Sequence, residues 1–245
     1  MKSLGFIKLN VVVLAAVLFV FALAQEAYAG EQRPHQYIVF GADRTGSYKD
    51  MTGLALRIAE GFVRKAQPGD EMYFRWISGN SYKVDQVFAH LRLPAMKLST
   101  VRNSYDRRAK YQQALLKQRI TQIIRMRKRN ALLQIRKQCP GSTGRTDIYG
   151  FITAAADQFT SAPSDASRIL VLATDLDDNR RYKIQPDLSN VAVYVYPVKN
   201  DPDPARMKAK KDHWESYFKA SGAISVRFVT PDVFGDAKGV RKCTK

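Results

Sequence analysis

Short apolar runs, separated by segments with helical periodicity, constrain the fold of this chain more than any other feature of its sequence. The clearest run is RILVLA, residues 168–173, which is apolar without interruption after its first residue. A strand covered on both faces is apolar throughout, whereas a strand covered on one face alternates apolar and polar residues. The sequence therefore predicts largely buried strands over 37–42, 72–77, 84–91, 168–173, 191–197 and 224–229.

Four segments between these strands show the spacing of helices, over 51–65, 104–137, 147–159 and 204–220. Pro204 is tolerated in the first turn of a helix, and Gly222 follows the last segment, where glycine often ends a helix. Strands that alternate with such helices predict an α/β fold of three layers. Helices would cover both faces of a doubly wound, Rossmann-like and mostly parallel sheet.

The second and third strands are an exception to this alternation. Only a few residues, beginning ISGN, separate them, which leaves no room for a helix. We therefore expect an antiparallel hairpin at one edge of the sheet, with Gly79 and Asn80 in its turn.

The amino terminus has the pattern of an export signal. Lys2 and Lys8 accompany an apolar run over 11–24, and Ala27-Tyr28-Ala29 has the small-x-small form that signal peptidase accepts. We expect a signal peptide over 1–29 and a periplasmic or secreted protein. The alternative is an uncleaved segment that anchors the chain in a membrane. Residues 30–245 are then predicted to form a single domain.

The chain is strongly basic, with a net charge of +18 at pH 7. Cleavage of the signal would remove two cationic residues and one anionic residue, and so lower the charge by one. A charge of this size favours polyanionic partners, such as nucleic acid, anionic lipid or acidic wall polymers.

Most of this charge lies in a long basic helical segment over 97–138, in which Asp106 is the only acid. Its apolar residues recur at helical spacing, so that one stripe can pack while the rest is solvated. One interpretation is a solvated face of a connecting helix, and the other is a contact with a polyanion or a membrane surface. The candidate residues for such a contact are Arg125, Arg127, Lys128 and Arg129.

Two cysteines, Cys139 and Cys243, are the only ones in the chain. In an exported protein an even number of cysteines predicts a disulfide, although two unpaired thiols remain the alternative. A bridge between them would close a loop of about 100 residues and contribute about 4–5 kcal/mol in the chain-entropy model.

Three polar clusters lie at the ends of predicted strands or at the start of a predicted helix, at what would be one edge of the sheet. Asp43, Thr45 and Ser47 come directly after the first strand, Thr146 lies just before the third helix, and Asp175 ends the fourth strand. Ligands of open α/β sheets gather at the carboxyl ends of the strands, where the strand order reverses. We therefore expect these oxygen-bearing side chains to meet there.

This set resembles the metal-ion-dependent adhesion site of von Willebrand factor type A domains. The family's motif Asp-x-Ser-x-Ser is matched by Asp43-Arg44-Thr45-Gly46-Ser47, with threonine in the middle position. Its lone threonine is matched by Thr146 in GRTDIYGFI, and its strand-end aspartate by Asp175 in RILVLATDLDD. The resemblance extends over about 36–230, and WESYFKASGAISVRFVTPD is similar to the closing helix and strand of bacterial members.

The resemblance implies a divalent cation, Mg²⁺ or Mn²⁺, held by two carboxylates and three hydroxyls. The implied ligands are Asp43, Thr45, Ser47, Thr146 and Asp175. Such a site leaves the cation able to accept a carboxylate from a protein partner, which is how the family binds ligands. The resemblance therefore implies a binding or adhesion module, expected to be a monomer by itself.

Two arginines and a second role for the threonine stand against this interpretation. Arg44 and Arg145 each adjoin an implied ligand, and a guanidinium close to the ion would weaken cation binding. Alternatively, it would help to capture an acidic ligand. Thr146 could also serve only as a helix cap.

No pattern in the sequence indicates catalysis. The three histidines, His35, His90 and His213, lack the paired spacing of a zinc site, and no Gly-x-Ser-x-Gly elbow occurs. Both cysteines are expected to pair, which leaves no cysteine nucleophile. We therefore expect a binding protein and not an enzyme.

Overall fold

A six-stranded sheet forms the centre of the fold. The structure is a computed structural model, and it describes residues 33–45, 51–96, 106–139, 144–179, 184–197 and 203–229. The strands are β1 Gln36–Asp43, β2 Glu71–Ile77, β3 Val87–Arg92, β4 Ser167–Thr174, β5 Val191–Pro197 and β6 Ser225–Phe228. The helices are α1 Thr52–Lys65, α2 Arg107–Arg136, α3 Ile148–Phe159 and α4 Pro204–Ala220.

The strand order is β3-β2-β1-β4-β5-β6, and every neighbouring pair is parallel except β2 with β3. This is the doubly wound arrangement that the sequence predicts, with its antiparallel strand at one edge. The order reverses between β1 and β4, because the chain proceeds from β1 towards one edge and from β4 towards the other. The predicted fold class and the predicted antiparallel pair are confirmed.

The two faces of the sheet bury separate apolar clusters. The first cluster joins one face of β1 to α1 and to the C-terminal part of α2, and Phe40 and Ile58 are fully buried in it. The second joins the other face of β1 to α3 and α4, and Val39 and Phe151 are fully buried in it. Since successive residues of a strand point to opposite faces, Val39 and Phe40 belong to different clusters.

One predicted strand begins later than expected. Residues Val84–Gln86 form a short 3-10 helix, and β3 begins only at Val87. The side chain of Arg75 explains this difference, because its Nη2 donates hydrogen bonds to the carbonyl groups of Ser81, at 3.2 Å, and Lys83, at 3.0 Å. The chain is thus wrapped around the guanidinium, and the β2–β3 register shifts at the same place.

The described residues from His35 onward belong to one compact unit, and the predicted signal peptide lies outside the described residues. None of the helices in the described part of the chain is long and apolar enough to cross a membrane.

Candidate metal centre

The ends of β1 and β4 lie side by side at the point where the strand order reverses. Asp43 is the last residue of β1, Thr174 is the last residue of β4, and Asp175 follows it directly. The two strands are parallel, with Ala42 opposite Ala173, so that Asp43 and Thr174 continue the same register. This is where open α/β sheets bind their ligands.

Strand alternation decides which side chains after β1 face the candidate site. The main-chain N–H of Arg44 donates to the carbonyl of Ile77 at 3.2 Å, so the extended backbone continues beyond Asp43. Asp43 and Thr45 therefore lie on the face that α3 covers, and Arg44 lies on the opposite face. The guanidinium carbon of Arg44 is accordingly 5.6 Å from the centre of the Trp76 ring, within the α1 and α2 layer.

The carboxylate of Asp43 is fully buried and accepts hydrogen bonds from two neighbouring residues. Its Oδ1 accepts from the main-chain N–H of Thr45 at 2.9 Å, and its Oδ2 accepts from the hydroxyl of Thr174 at 2.8 Å. Burial raises the pKa of Asp43 from its ordinary value of 3.8 to about 6. The hydrogen bonds lower that pKa, and the nearby charge of Asp175 raises it further. A cation beside this carboxylate would stabilise its charged form.

Thr146 is held beside the end of β1 by hydrogen bonds on two sides. Its carbonyl accepts from the main-chain N–H of Asn179 at 3.1 Å, in the loop that follows β4. The N–H of the next residue, Asp147, donates to the carbonyl of Ser78 at 2.9 Å, directly after β2. Because β1 lies between β2 and β4 in the sheet, these contacts bring Thr146 to the same edge as Asp43.

The hydroxyl of Thr146 is buried and has no hydrogen-bond partner among the described residues. The helix-capping role suggested as an alternative for Thr146 belongs instead to Asp147, whose Oδ1 accepts from the N–H of Gly150 at 2.9 Å. A buried hydroxyl without a partner costs about 1–3 kcal/mol. Native structures contain few such groups, and a bound ion or water molecule is one of the common explanations for them.

A strained turn carries Asp175. The next residue, Leu176, has φ of 66°, in the left-handed region that residues other than glycine seldom adopt. Three hydrogen bonds hold the turn. The main-chain N–H of Leu176 donates to the Thr174 hydroxyl at 3.2 Å, and the N–H of Asp177 donates to Oδ1 of Asp175 at 3.1 Å. The carbonyl of Leu176 accepts from Nε1 of Trp214 at 3.0 Å. Strain of this kind is often found at functional sites.

Four of the five implied ligands are therefore buried at one edge of the sheet, namely Asp43, Thr45, Thr146 and Asp175. The fifth, Ser47, lies outside the described residues. Sequence reasoning missed Thr174, which orients the Asp43 carboxylate. The register of β1 against β4 identifies Thr174, but that register depends on knowing that the two strands are neighbours.

The available donors suit a hard divalent cation. Carboxylate and hydroxyl oxygens are the ligands that Mg²⁺ and Mn²⁺ prefer. Within the described residues no group of three or more His, Cys, Asp and Glu side chains could hold a metal ion. A cation at this edge would therefore need the threonine hydroxyls in addition to the two carboxylates, and the unpartnered hydroxyl of Thr146 fits that requirement.

The residues of the basic segment have different surroundings. Nη1 of Arg127 donates to the carbonyl of Arg92 at 2.6 Å, and Nζ of Lys128 donates to the carbonyl of Arg64 at 3.0 Å, so both attach α2 to the domain. The other two candidate residues, Arg125 and Arg129, are exposed, as is Arg145 before α3.

The predicted disulfide stays a prediction. Cys139 is exposed and its thiol is free in the structure. Cys243 lies outside the described residues.

Comparisons with known proteins support the fold. No family model and no curated protein matches the chain. A von Willebrand factor type A structure from Catenulispora acidiphila matches with a TM-score of 0.52 and 15% identity, covering 82% of this chain and 40% of that one. The pilus adhesin SpaC from Lactobacillus rhamnosus GG, in an open conformation, matches with a TM-score of 0.45 and 11% identity, covering 83% of this chain and 29% of that one. This chain thus spans less than half the length of either protein. The fold of this chain is that of a von Willebrand factor type A domain.

Proposed function

We propose that this chain is an exported binding module that holds one divalent cation, Mg²⁺ or Mn²⁺, and captures an acidic group of a protein partner. The observation that carries this proposal is the buried hydroxyl of Thr146, which has no hydrogen-bond partner among the described residues and lies at the same edge of the sheet as the buried carboxylate of Asp43. The N-terminal pattern over 1–29 supports export, and the von Willebrand factor type A fold supports a binding role.

Each residue of the proposed site has a distinct role. Asp43 supplies the buried negative charge, and the hydroxyls of Thr45 and Thr146 supply neutral oxygen donors. Asp175 supplies a second carboxylate at the end of β4, and Ser47 is proposed as a further hydroxyl ligand from the motif alone. The two carboxylates together raise the cost of leaving the site without a positive charge.

The bound cation would supply a Lewis-acidic position, incompletely neutralised by two carboxylates, to which a carboxylate of the partner could bind. The chain's own hydroxyl donors make this possible, because they add oxygen without adding negative charge. In the described part of the chain, neither a nucleophile beside a base nor a paired histidine site accompanies this edge, so we propose binding and not catalysis.

Isothermal titration of the purified protein with Mg²⁺ and with Mn²⁺ tests the cation site. We expect saturable binding of one ion, lost in Asp43→Ala. The matched control is Asp187→Ala, which removes an exposed carboxylate from the segment before β5, at the opposite edge of the sheet. If neither ion binds, or if Asp43→Ala binds as tightly as the parent, the proposal is wrong.

The partner's acidic group is tested separately. Peptides that contain a central aspartate are titrated into the Mg²⁺-saturated protein, and peptides with asparagine at that position serve as the control. We expect binding of the aspartate peptides only, abolished by EDTA. Equal binding of both peptide sets would exclude the carboxylate as the group recognised, even if the cation site is present.

A further inference from the structure

Helix α2 packs against the domain along only part of its length. Its two buried residues, Ala131 and Ile135, lie near its C-terminal end, and Ile124 and Leu132 pack partly against the same cluster. Within 107–123 no residue of the helix is buried. At about 1.5 Å per residue, this part of the helix is about 25 Å long, and Gln113 and Ile120, on the same side as Ala131 and Ile135, are only half-buried.

Large apolar side chains lie exposed on the outer face of this helix. They form what we call the outer stripe: Tyr111, 70% exposed, Leu115, 37%, Met126, 56%, and Leu133, 44%. At 3.6 residues per turn these positions fall within a narrow arc of the helix, opposite Ala131 and Ile135. The same arc also carries Gln118, Gln122 and Arg129, and two other exposed apolar residues, Leu116 and Ile123, lie outside it, so that the solvent face of α2 is amphipathic.

Positive charge surrounds the outer stripe. Helix α2 contains ten Lys and Arg residues and no Asp or Glu. Arg127, Lys128 and Arg136 bind oxygen atoms of the domain itself. Four others are exposed on or beside the outer stripe and form no ion pair with any described residue: Arg108, Arg119, Arg125 and Arg129.

We propose that the outer stripe and these four arginines are a docking surface for an anionic lipid bilayer. Amphipathic helices that lie in the plane of a membrane combine apolar side chains, which enter the boundary between headgroups and acyl chains, with basic side chains that pair with lipid phosphates. Both features occur here on one solvent-facing side of one helix. The helix would lie along the bilayer surface, and the part packed on α1 would attach the domain to it.

Charge and composition favour a bilayer over two other occupants. A second copy of the chain would bring together two helices that each carry ten basic residues and no acid, and their repulsion opposes such a dimer. Nucleic acid would satisfy the arginines but not the apolar side chains of Leu115, Met126 and Leu133. Tyr111 is the only aromatic residue of α2, which gives too little surface for base stacking.

Cosedimentation of the predicted mature chain, residues 30–245, with lipid vesicles tests this surface without the apolar N-terminal segment, and with EDTA present so that the proposed cation site does not contribute. We expect phosphatidylcholine vesicles that contain phosphatidylglycerol to bind at least about tenfold more tightly than vesicles of phosphatidylcholine alone. Replacing two residues of the outer stripe, by Leu115→Gln together with Met126→Gln, should weaken binding to the anionic vesicles about tenfold. In the variant Tyr111→Trp, the added fluorescence should shift to the blue only with the anionic vesicles.

A charge variant and its matched control separate local from general attraction. We expect Arg119→Gln with Arg129→Gln to weaken vesicle binding about tenfold. Lys83→Gln with Arg227→Gln removes the same charge from exposed positions outside α2 and should change binding less than about twofold.

Four results would overturn the proposal. They are equal binding to both vesicle types, an unchanged affinity in the stripe variant, DNA binding that exceeds vesicle binding and does not depend on the stripe, and self-association that the stripe variant abolishes.

Discussion

The hydroxyl of Thr174 donates a 2.8 Å hydrogen bond to Oδ2 of Asp43 and thereby joins the ends of β4 and β1. The hydroxyl oxygen of Thr174 also accepts a hydrogen bond from the main-chain N–H of Leu176 at 3.2 Å. One buried hydroxyl thus orients the carboxylate of Asp43 and also fixes the turn that carries Asp175. Both carboxylates of the candidate metal centre depend on this side chain.

We expect Thr174→Val to weaken Mg²⁺ binding about 10- to 100-fold, as loss of a residue that orients a metal ligand commonly does. The variant should also unfold more easily, by about 1–3 kcal/mol, because it leaves an N–H and a carboxylate oxygen without their partner. Thr174→Ser keeps the hydroxyl and is the control. Calorimetric titration measures the affinity, and a parent-like affinity in Thr174→Val would show that Thr174 does not position Asp43.

The substitution Thr146→Val should have opposite effects on stability and on cation binding. Valine has the shape of threonine but removes a hydroxyl that has no partner, so with EDTA we expect the free energy of unfolding to rise by about 1 kcal/mol. With Mg²⁺ present the parent should gain stability by mass action, and the variant should gain much less. Urea unfolding in EDTA and in Mg²⁺ measures both effects. A loss of stability in EDTA would mean that the hydroxyl has a structural partner.

The raised pKa of Asp43 predicts how stability depends on pH. The folded protein binds this proton more tightly than the unfolded chain, so the contribution of Asp43 is fully present below pH 3.8 and is lost as the pH rises through about 6. The change corresponds to about 3 kcal/mol. With EDTA we therefore expect Asp43→Asn to match the parent near pH 4 and to exceed its stability above pH 6.

The same proton competes with a bound cation. Below pH 6 we therefore expect Mg²⁺ affinity to fall, because binding must then displace the proton of Asp43. The comparison of parent and Asp43→Asn by urea unfolding across this range isolates one carboxyl from all others. A stability difference that does not vary with pH would contradict the raised pKa.

Hydrophobic patterning was sufficient to predict most of the fold. The strand Val191–Pro197 and the helix Pro204–Ala220 have the bounds that their apolar patterns predict, and the other elements differ by a few residues. The one marked difference, at Val84–Gln86, arises because the guanidinium of Arg75 binds carbonyl groups of the preceding turn. That contact is made by a side chain from another strand, so local β propensity could not anticipate it.

The sequence predicts which residues form the candidate metal centre but not the contacts that support them. Asp43, Thr146 and Asp175 are separated in sequence but follow a family motif and the rule for strand ends. The cap of α3 by Asp147 is a local contact with Gly150, whereas the burial of the Thr146 hydroxyl and the hydrogen bond from Thr174 depend on which strands are neighbours. The sequence alone does not decide whether the Arg44 side chain points towards the candidate metal centre. In the structure, strand alternation places that side chain against Trp76, on the other face of the sheet.

A glycine under α3 provides a test of how the fold positions this edge. A Cβ atom added to Gly41 in β1 would lie 2.5 Å from Cζ of Phe151, which is fully buried and has little room to move. We therefore expect Gly41→Ala to destabilise the protein by about 1–3 kcal/mol. Because Phe151 belongs to the helix that begins beside Thr146, the variant should also weaken Mg²⁺ binding.

In the double variant with Phe151→Leu, the smaller side chain leaves room for the new methyl group. The double variant should therefore lose less stability than the two single variants added together, as measured by a double-mutant cycle in urea. Strict additivity of the two changes would show that the contact between β1 and α3 does not limit the packing at this position.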